Sequence, residues 1–219
     1  MNRTALALIA VSALSVGVAQ PSLAAAKGKS AKPVSETLYL HGTSSSGNQD
    51  IAVDGTPLTM STAKPTGSAD KDVMFFGAGV SPNTNCAGST LLPFWTGAVT
   101  GTVTGKVNVT FFARSTPGAT ATLQLFNDVG EGGCNALNPG AVAEVTVPLK
   151  AGATNAMHTA TLDLPKALKV KSTLHFQVIP GMTAGVAIGP QVSGVGYDST
   201  VSPSAITFTC LPSAGKKSC

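Results

Sequence analysis

The sequence of 219 residues contains little charge and few aromatic side chains. Charged residues make up 11% of the chain, against roughly 25% in an average globular protein, which excludes a coiled coil and charge-driven disorder. Phe, Tyr and Trp together make up 5%, which argues against a flat aromatic face for polysaccharide binding. Three histidines are present, and they are widely separated. The composition therefore favours a neutral β-protein and does not indicate any particular catalytic reaction.

The positive charge is concentrated toward the two ends of the chain. The formal net charge is +4, but Lys27, Lys29 and Lys32 precede the body, and Lys216 and Lys217 follow it. The body between them holds eight of the 14 basic residues and all ten acidic ones, so it is slightly negative. Because nucleic-acid binding requires a basic face, we expect no nucleic-acid partner. The basic ends are expected to be solvating tails, with contact to an anionic cell envelope as the alternative.

An export signal is predicted at residues 1–26. Arg3 supplies the positive start, Thr4–Ala19 is apolar, and Pro21–Ala26 offers small residues for cleavage. The apolar run is shorter than the roughly 20 residues that a spanning helix needs, so no membrane span is expected. The predicted location is therefore secreted, extracellular or in the cell envelope.

Short β-branched runs alternate with clusters of turn residues along the rest of the chain. The runs are Thr37–His41, Ile51–Val53, Val73–Phe76, Ala98–Ala113, Thr120–Asn127, Val142–Leu149, His158–Leu164, Thr173–Ile179, Gly185–Ile188, Val192–Tyr197 and Ala205–Cys210. No window free of Gly and Pro shows a helical period, so no long helix is predicted, and Pro165–Leu168 is expected to form one short turn. The expected fold is an all-β, two-sheet antiparallel jelly-roll β-sandwich of about ten strands. An immunoglobulin-like sandwich is the alternative.

This fold predicts that strand Thr37–His41 lies beside strand Ala205–Cys210. Gly97, Gly101 and Gly105 share one face of a strand and predict a bend, and Trp95 is expected in the core or as a buried loop anchor. The predicted organisation is a signal peptide at 1–26, a flexible Lys-rich linker at 27–35, a β-sandwich domain at 36–212 and a tail at 213–219.

Four cysteines in an exported chain predict two disulfides, with three possible connectivities. Their spacing excludes a CxxC metal site. Cys86 and Cys134 both lie in turn-rich loops, which favours their pairing. Cys210, at the end of the last strand, would then hold the tail through Cys219. A Cys219 that stays free or pairs between molecules is the alternative.

No catalytic residue, metal ligand or cofactor-binding residue is predicted. His41 precedes Ser44, Ser45 and Ser46, but the Gly-x-Ser-x-Gly spacing of a nucleophile elbow is absent, and the segment follows a strand in a β-rich chain. His158 and His175 are expected to be structural. Carboxylate pairs occur in Gly-containing loops and could bind Ca²⁺, although ordinary turn acids are the preferred interpretation. These pairs are Asp50 with Asp54, Asp70 with Asp72, and Asp128 with Glu131.

The second half of the chain resembles a known family. The strands Lys106–Ala113, Ala121–Val129 and Leu174–Val178, and Tyr197–Ser199 before Ile206–Phe208, are similar to the non-catalytic jelly-roll domain of secreted bacterial X-prolyl dipeptidyl peptidase and cocaine-esterase-like hydrolases. The resemblance covers about half of the chain. It implies a fold and no activity, because a shared sandwich does not transfer function.

Three classes of function follow from these patterns. An exported non-catalytic β-sandwich module, acting as an interaction or accessory protein on an unidentified extracellular or cell-envelope macromolecule, is favoured because the chain lacks clustered catalytic residues. A lectin-like carbohydrate- or calcium-binding domain is the second hypothesis. A secreted hydrolase is the third, and a Ser–His pair within hydrogen-bond reach would promote it.

Overall fold

The computed structural model describes residues 32–42, 58–75, 94–127, 141–181 and 193–219. All regular structure in these ranges is β-strand, in agreement with the all-β class. The strands are β1 (Val34–His41), β2 (Leu58–Ser61), β3 (Lys71–Phe75), β4 (Phe94–Ala98), β5 (Gly101–Ser115), β6 (Thr120–Asn127), β7 (Ala143–Pro148), β8 (Gly152–Asp163), β9 (Leu168–Val170), β10 (Thr173–Gly181), β11 (Ser193–Tyr197) and β12 (Ala205–Pro212). Within the described ranges no helix is long and apolar enough to span a membrane.

The twelve described strands form one hydrogen-bonded sheet, ten of them in the order β3-β11-β5-β12-β1-β2-β4-β10-β6-β7. The long strand β5 has β12 and β11 along one edge and β9 and β8 along the other. Every pair is antiparallel except β2 with β4. Strand β1 pairs with β12, as predicted for the two ends of the domain.

The sheet curls back on itself around one core. Trp95 in β4 lies 5.4 Å from Tyr197 in β11, measured between ring centroids. Because β11 lies on the same edge of β5 as β12, three strand spacings separate β11 from β4, which would be about 14 Å in a flat sheet. Hydrogen bonding continues through the β1–β2 pair, so a division into two separate sheets is not confirmed.

The predicted alternation of side chains is confirmed in the central strands. Val107, Val109 and Phe111 of β5 are buried while Asn108 between them is exposed, and β6 alternates in the same way. Trp95 is fully buried, as predicted. The core also includes Leu40, Leu123, Leu125, Leu162, Leu174, Phe176, Ile206 and Phe208. The predicted strands Ile51–Val53 and Gly185–Ile188 lie outside the described residues.

The strand predicted for Ala98–Ala113 is present as β5 from Gly101 onward. Its predicted start is wrong, because Val99 and Thr100 form a connection between β4 and β5. The N–H groups of Val99 and Thr100 donate to the carbonyls of Ser172 and Cys219, instead of continuing a ladder. The predicted bend is present at Gly105, which has a φ of 74°. There the β5–β12 register shifts at a β-bulge. The short strands β2 and β9 are not predicted from the sequence, and β9 begins at Leu168, where only a turn is expected.

Cys210 and Cys219 form a disulfide, in agreement with the favoured pairing. Cys86 and Cys134 lie outside the described residues, so their pairing stays a prediction. The backbone N–H of Cys219 donates to Glu36 Oε1 at 3.2 Å, and a Cβ on Gly101 would lie 2.9 Å from Cys219 Sγ. The disulfide therefore holds the tail against the start of β5.

Replacing Cys219 by Ser should lower the free energy of unfolding by about 2.5 kcal/mol, because the opened loop of about nine residues regains chain entropy in the unfolded state. Urea unfolding of the variant measures the loss. Ser218→Ala, at the neighbouring exposed position, is the control and should unfold like the parent protein. Equal unfolding midpoints for the two variants would contradict the prediction.

Candidate functional site

His175 lies in β10 with both ring nitrogens hydrogen-bonded. Nδ1 lies 2.8 Å from the hydroxyl of Thr96, and Nε2 lies 3.0 Å from the hydroxyl of Thr173. The side chain is 6% exposed. Since a hydroxyl can donate or accept, a neutral imidazole is satisfied here in either tautomer. This geometry matches a structural histidine.

His158 lies in β8 and stacks on Phe111 of β5, with ring centroids 5.1 Å apart. Burial lowers the pKa of His158, opposed by a hydrogen bond to the backbone of Ala113 and reinforced by the charge of Lys150. Among the described residues its Nε2 has no hydrogen-bond partner. His158 is therefore a neutral ring packed in the β5–β8 pair, away from the other histidines.

His41, at the end of β1, belongs to a connected polar cluster. Its Nδ1 lies 2.8 Å from Asp198 Oδ1, and its Nε2 lies 3.0 Å from Ser61 Oγ. Lys71 Nζ donates to Asp198 Oδ2 at 2.8 Å, and the N–H of Gly42 donates to the same oxygen at 3.1 Å. We call these five residues the His41 cluster. They bring together the end of β1, the β2–β3 region and the β11–β12 connection.

Asp198 is the centre of the His41 cluster. Its backbone φ of 56° is left-handed, a conformation that Asp tolerates better than most residues. Burial alone would raise the pKa of the carboxyl, but hydrogen bonds from Lys71, His41 and Gly42, with the charge of Lys71, lower the pKa below its ordinary value. The carboxyl is 15% exposed. Asp198 is therefore a charged anchor.

Asp70 holds the other side of the β11–β12 connection. Its carboxylate accepts hydrogen bonds from the hydroxyls of Ser199 and Ser202, the latter at 2.8 Å, and from the side-chain amide of Asn155 at 2.9 Å. Ser199 and Ser202 are almost completely buried. In the Asp70–Asp72 pair, for which calcium binding is the less favoured interpretation, Asp70 is therefore engaged by protein donors. Asp50, Asp54, Asp128 and Glu131 lie outside the described residues.

The Ser61–His41–Asp198 part of the cluster has the connectivity of a nucleophile, a base and an orienting acid. One further contact bears on that role. The carbonyl oxygen of Ala63 lies 3.1 Å from His41 Nε2, and the N–H of Ala63 donates to Ser61 Oγ at 3.2 Å. The Asp198 carboxylate at Nδ1 and the Ala63 carbonyl at Nε2 can both only accept, so each ring nitrogen of His41 faces an acceptor. The Ala63 carbonyl therefore competes with Ser61 at Nε2, where a general base needs a free lone pair.

The serine beside His41 is not one that the sequence suggests. Ser44, Ser45 and Ser46 lie outside the described residues, and Ser61 takes the position instead. His41 pairs across the strands with Thr59, so Ser61 is its diagonal neighbour in the β1–β2 pair. Because β2 has only four residues, no sequence signal indicates this pairing.

The outer face of β1, β12, β5 and β8 carries uncharged polar groups in register. Thr37 pairs with Thr207, Thr207 with Asn108, and Asn108 with Thr161. The hydroxyls of Thr37 and Thr207 are 2.9 Å apart, and Thr161 donates to Asn108 Oδ1 at 3.2 Å. Within the described part of the chain, no group of three or more His, Cys, Asp or Glu could hold a metal ion.

Comparison with known proteins gives structural matches only. No family model matches the chain, and no curated protein matches its sequence. Two matching crystal structures are of a CocE/NonD family hydrolase from Staphylococcus aureus, at 13% and 12% identity and TM-scores of 0.47 and 0.44. They cover 81% and 84% of this chain, which spans 37% of the hydrolase chain in each case. The chain thus bears a weak resemblance in fold to part of that hydrolase.

Proposed function

We propose that the protein is an exported, non-catalytic β-sandwich module that acts through its surface on other macromolecules outside the cell or in its envelope. The observation that carries this proposal is the full engagement of His41. Both of its ring nitrogens face groups of the protein: Asp198 at one, and Ser61 and Ala63 at the other. The His41 cluster acts as a clamp between three segments of the chain.

The position of the cluster supports a role in stability. Asp198 lies in the connection that joins β11 to β12, and β12 lies between β5 and β1 in the sheet. Lys71 begins β3, which pairs with β11. A clamp at this point fixes the connection that leads into β12, a central strand of the sheet. The uncharged row of Thr37, Thr207, Asn108 and Thr161 leaves a polar face available for contact.

An acyl hydrolase with Ser61 as nucleophile is the second candidate. The distances of 3.0 Å from Ser61 Oγ to His41 Nε2 and 2.8 Å from His41 Nδ1 to Asp198 favour it. In this reaction the Ser61 oxygen would attack an ester carbonyl and pass its proton to Nε2. The leaving alcohol would take that proton, and water would release the acyl group from Ser61.

An activated ester, p-nitrophenyl acetate, separates the two candidates. We expect the purified protein to hydrolyse it at the same slow rate as its Ser61→Ala and His41→Ala variants, because the Ala63 carbonyl competes with Ser61 for Nε2. Thr59→Ala, on the exposed side of the same strand, is the control for non-specific hydrolysis. Activity lost in both cluster variants and kept in Thr59→Ala would show that the non-catalytic proposal is wrong and establish the hydrolase.

A further inference from the structure

Four strand ends meet at the end of the domain opposite the His41 cluster. Val34, at the start of β1, pairs with Cys210 of β12. Further along β12, Pro212 pairs with Gly101 at the start of β5, and Gly101 also pairs with Val170 at the end of β9. The beginning of the domain, its last strand and the short strand β9 therefore lie side by side.

This arrangement gathers exposed lysines that are far apart in the sequence. Lys32 comes two residues before Val34, and Lys169 pairs with Thr102 at the start of β5. Lys171 follows β9, and Lys216 and Lys217 lie in the loop closed by the Cys210–Cys219 disulfide. We call these five exposed lysines the basic pole: Lys32, Lys169, Lys171, Lys216 and Lys217.

Two backbone hydrogen bonds connect the lysine-bearing segments. The N–H of Val99 donates to the carbonyl of Ser172, the residue after Lys171, at 3.0 Å. The N–H of the next residue, Thr100, donates to the carbonyl of Cys219, two residues after Lys217, at 2.5 Å. The segment after β9 and the disulfide loop are thus attached to the same two-residue turn, which keeps their lysines close together.

Opposite charge is scarce in the segments that form the basic pole. Residues 32–36, 99–103, 168–173 and 210–219 contain one acidic side chain, Glu36, and it already accepts the N–H of Cys219. The body of the chain is slightly negative, so the positive charge is polarised toward one end of the domain.

We propose that the basic pole docks the protein on an anionic lipid surface. This inference rests on the proposed role of the module in the cell envelope and names its partner. Lysine is a point charge without the planar fork by which Arg binds a single phosphate or carboxylate, and the five residues of the pole are all Lys. Lysines from separate segments at one end of a domain suit a broad charged surface, to which each contributes attraction.

Vesicle sedimentation tests this docking with the full chain. Vesicles of phosphatidylcholine alone are compared with vesicles containing about 30% phosphatidylglycerol, at low salt and at about 0.5 M salt. We expect tighter binding to the anionic vesicles, with the difference lost at high salt. The apolar leader is common to every variant, so its contribution cancels when variants are compared.

The variant K216Q/K217Q should bind the anionic vesicles about 25-fold more weakly, at about fivefold for each lysine. The matched control K64Q/K150Q removes the same charge from exposed lysines away from the pole and should bind like the parent protein. Equal losses in both variants, or no preference for anionic vesicles, would overturn the proposal. Salt-sensitive binding to soluble polyphosphate without vesicle binding would also overturn it, in favour of a polymer partner. None of these outcomes affects the ester assay, which tests the non-catalytic proposal separately.

Discussion

Replacement of Asp198 by Ala is expected to lower the free energy of unfolding by about 3 kcal/mol. The carboxylate accepts hydrogen bonds from His41, Lys71 and Gly42, and it is 15% exposed. Its removal leaves the Lys71 ammonium, which is 22% exposed, without its counter-charge, and a backbone N–H without an acceptor. Because Asp198 lies before β12, the loss weakens the connection to the centre of the sheet.

Urea unfolding followed by circular dichroism measures this effect. Asp163→Ala is the matched control, because Asp163 is also paired with a lysine but is 72% exposed. Solvent screens that pair, so the control should unfold almost like the parent protein. If the two Asp variants had equal midpoints, the His41 cluster would not be a stabilising clamp.

The same clamp predicts a dependence of stability on pH. The pKa of Asp198 is lower in the folded protein than in the unfolded chain. As the pH falls, the unfolded chain therefore takes up the proton first, and protonation favours unfolding. The contribution of Asp198 is complete above the unfolded pKa and is lost as the pH falls through the folded pKa. The urea midpoint of unfolding, measured at a series of decreasing pH values, should fall less steeply for Asp198→Asn than for the parent protein.

Replacement of Trp95 by Ala is expected to lower the free energy of unfolding by about 4 kcal/mol, the second large effect. The indole is fully buried and contacts Tyr197 of β11 and Phe176 of β10. Its removal leaves a cavity where distant parts of the curled sheet meet. Trp95→Phe should cost less. That change also removes a buried indole N–H that has no hydrogen-bond partner among the described residues.

Thermal and urea unfolding rank these variants by stability. Met157→Ala is the control, because Met157 is 64% exposed on β8 and its loss opens no cavity. We expect stability to decrease from Met157→Ala to Trp95→Phe to Trp95→Ala. A Trp95→Ala variant as stable as Met157→Ala would show that the contact between β4 and β11 contributes little to closing the sheet.

The features that the sequence predicts correctly depend on local pattern. Thr120–Asn127 alternates strictly between buried and partly exposed residues at its start, and the structure has β6 with the same bounds. Trp95 is buried as its apolar surroundings indicate. Cys210 pairs with Cys219, whose separation of nine residues suits a small loop. For β6 and Trp95 neighbouring residues alone contain the information, whereas the Cys210–Cys219 pair follows from first pairing Cys86 with Cys134.

The features that the sequence does not predict depend on distant pairing. Strands β2 and β9 have four and three residues, too few for a period to appear. In the His41 cluster, Ser61 lies 20 residues from His41, and Asp198 lies 157 residues away. Their contact depends on the order of strands in the sheet. The basic pole has the same origin, because Lys32 joins it through the β1–β12 pair and Lys169 joins it through the β5–β9 pair.

The pairing of β1 with β12 also determines when the domain can fold. The Thr37–Thr207 contact joins residues 170 positions apart, and β12 fills the middle of the sheet between β1 and β5. Closing so long a loop makes this pairing slow, and the β1–β12–β5 part of the sheet cannot form before β12 has been synthesised. A growing chain on the ribosome therefore lacks the β1–β12–β5 part of the sheet until β12 emerges. Such a chain can still pass through a narrow channel, which the proposed export would require.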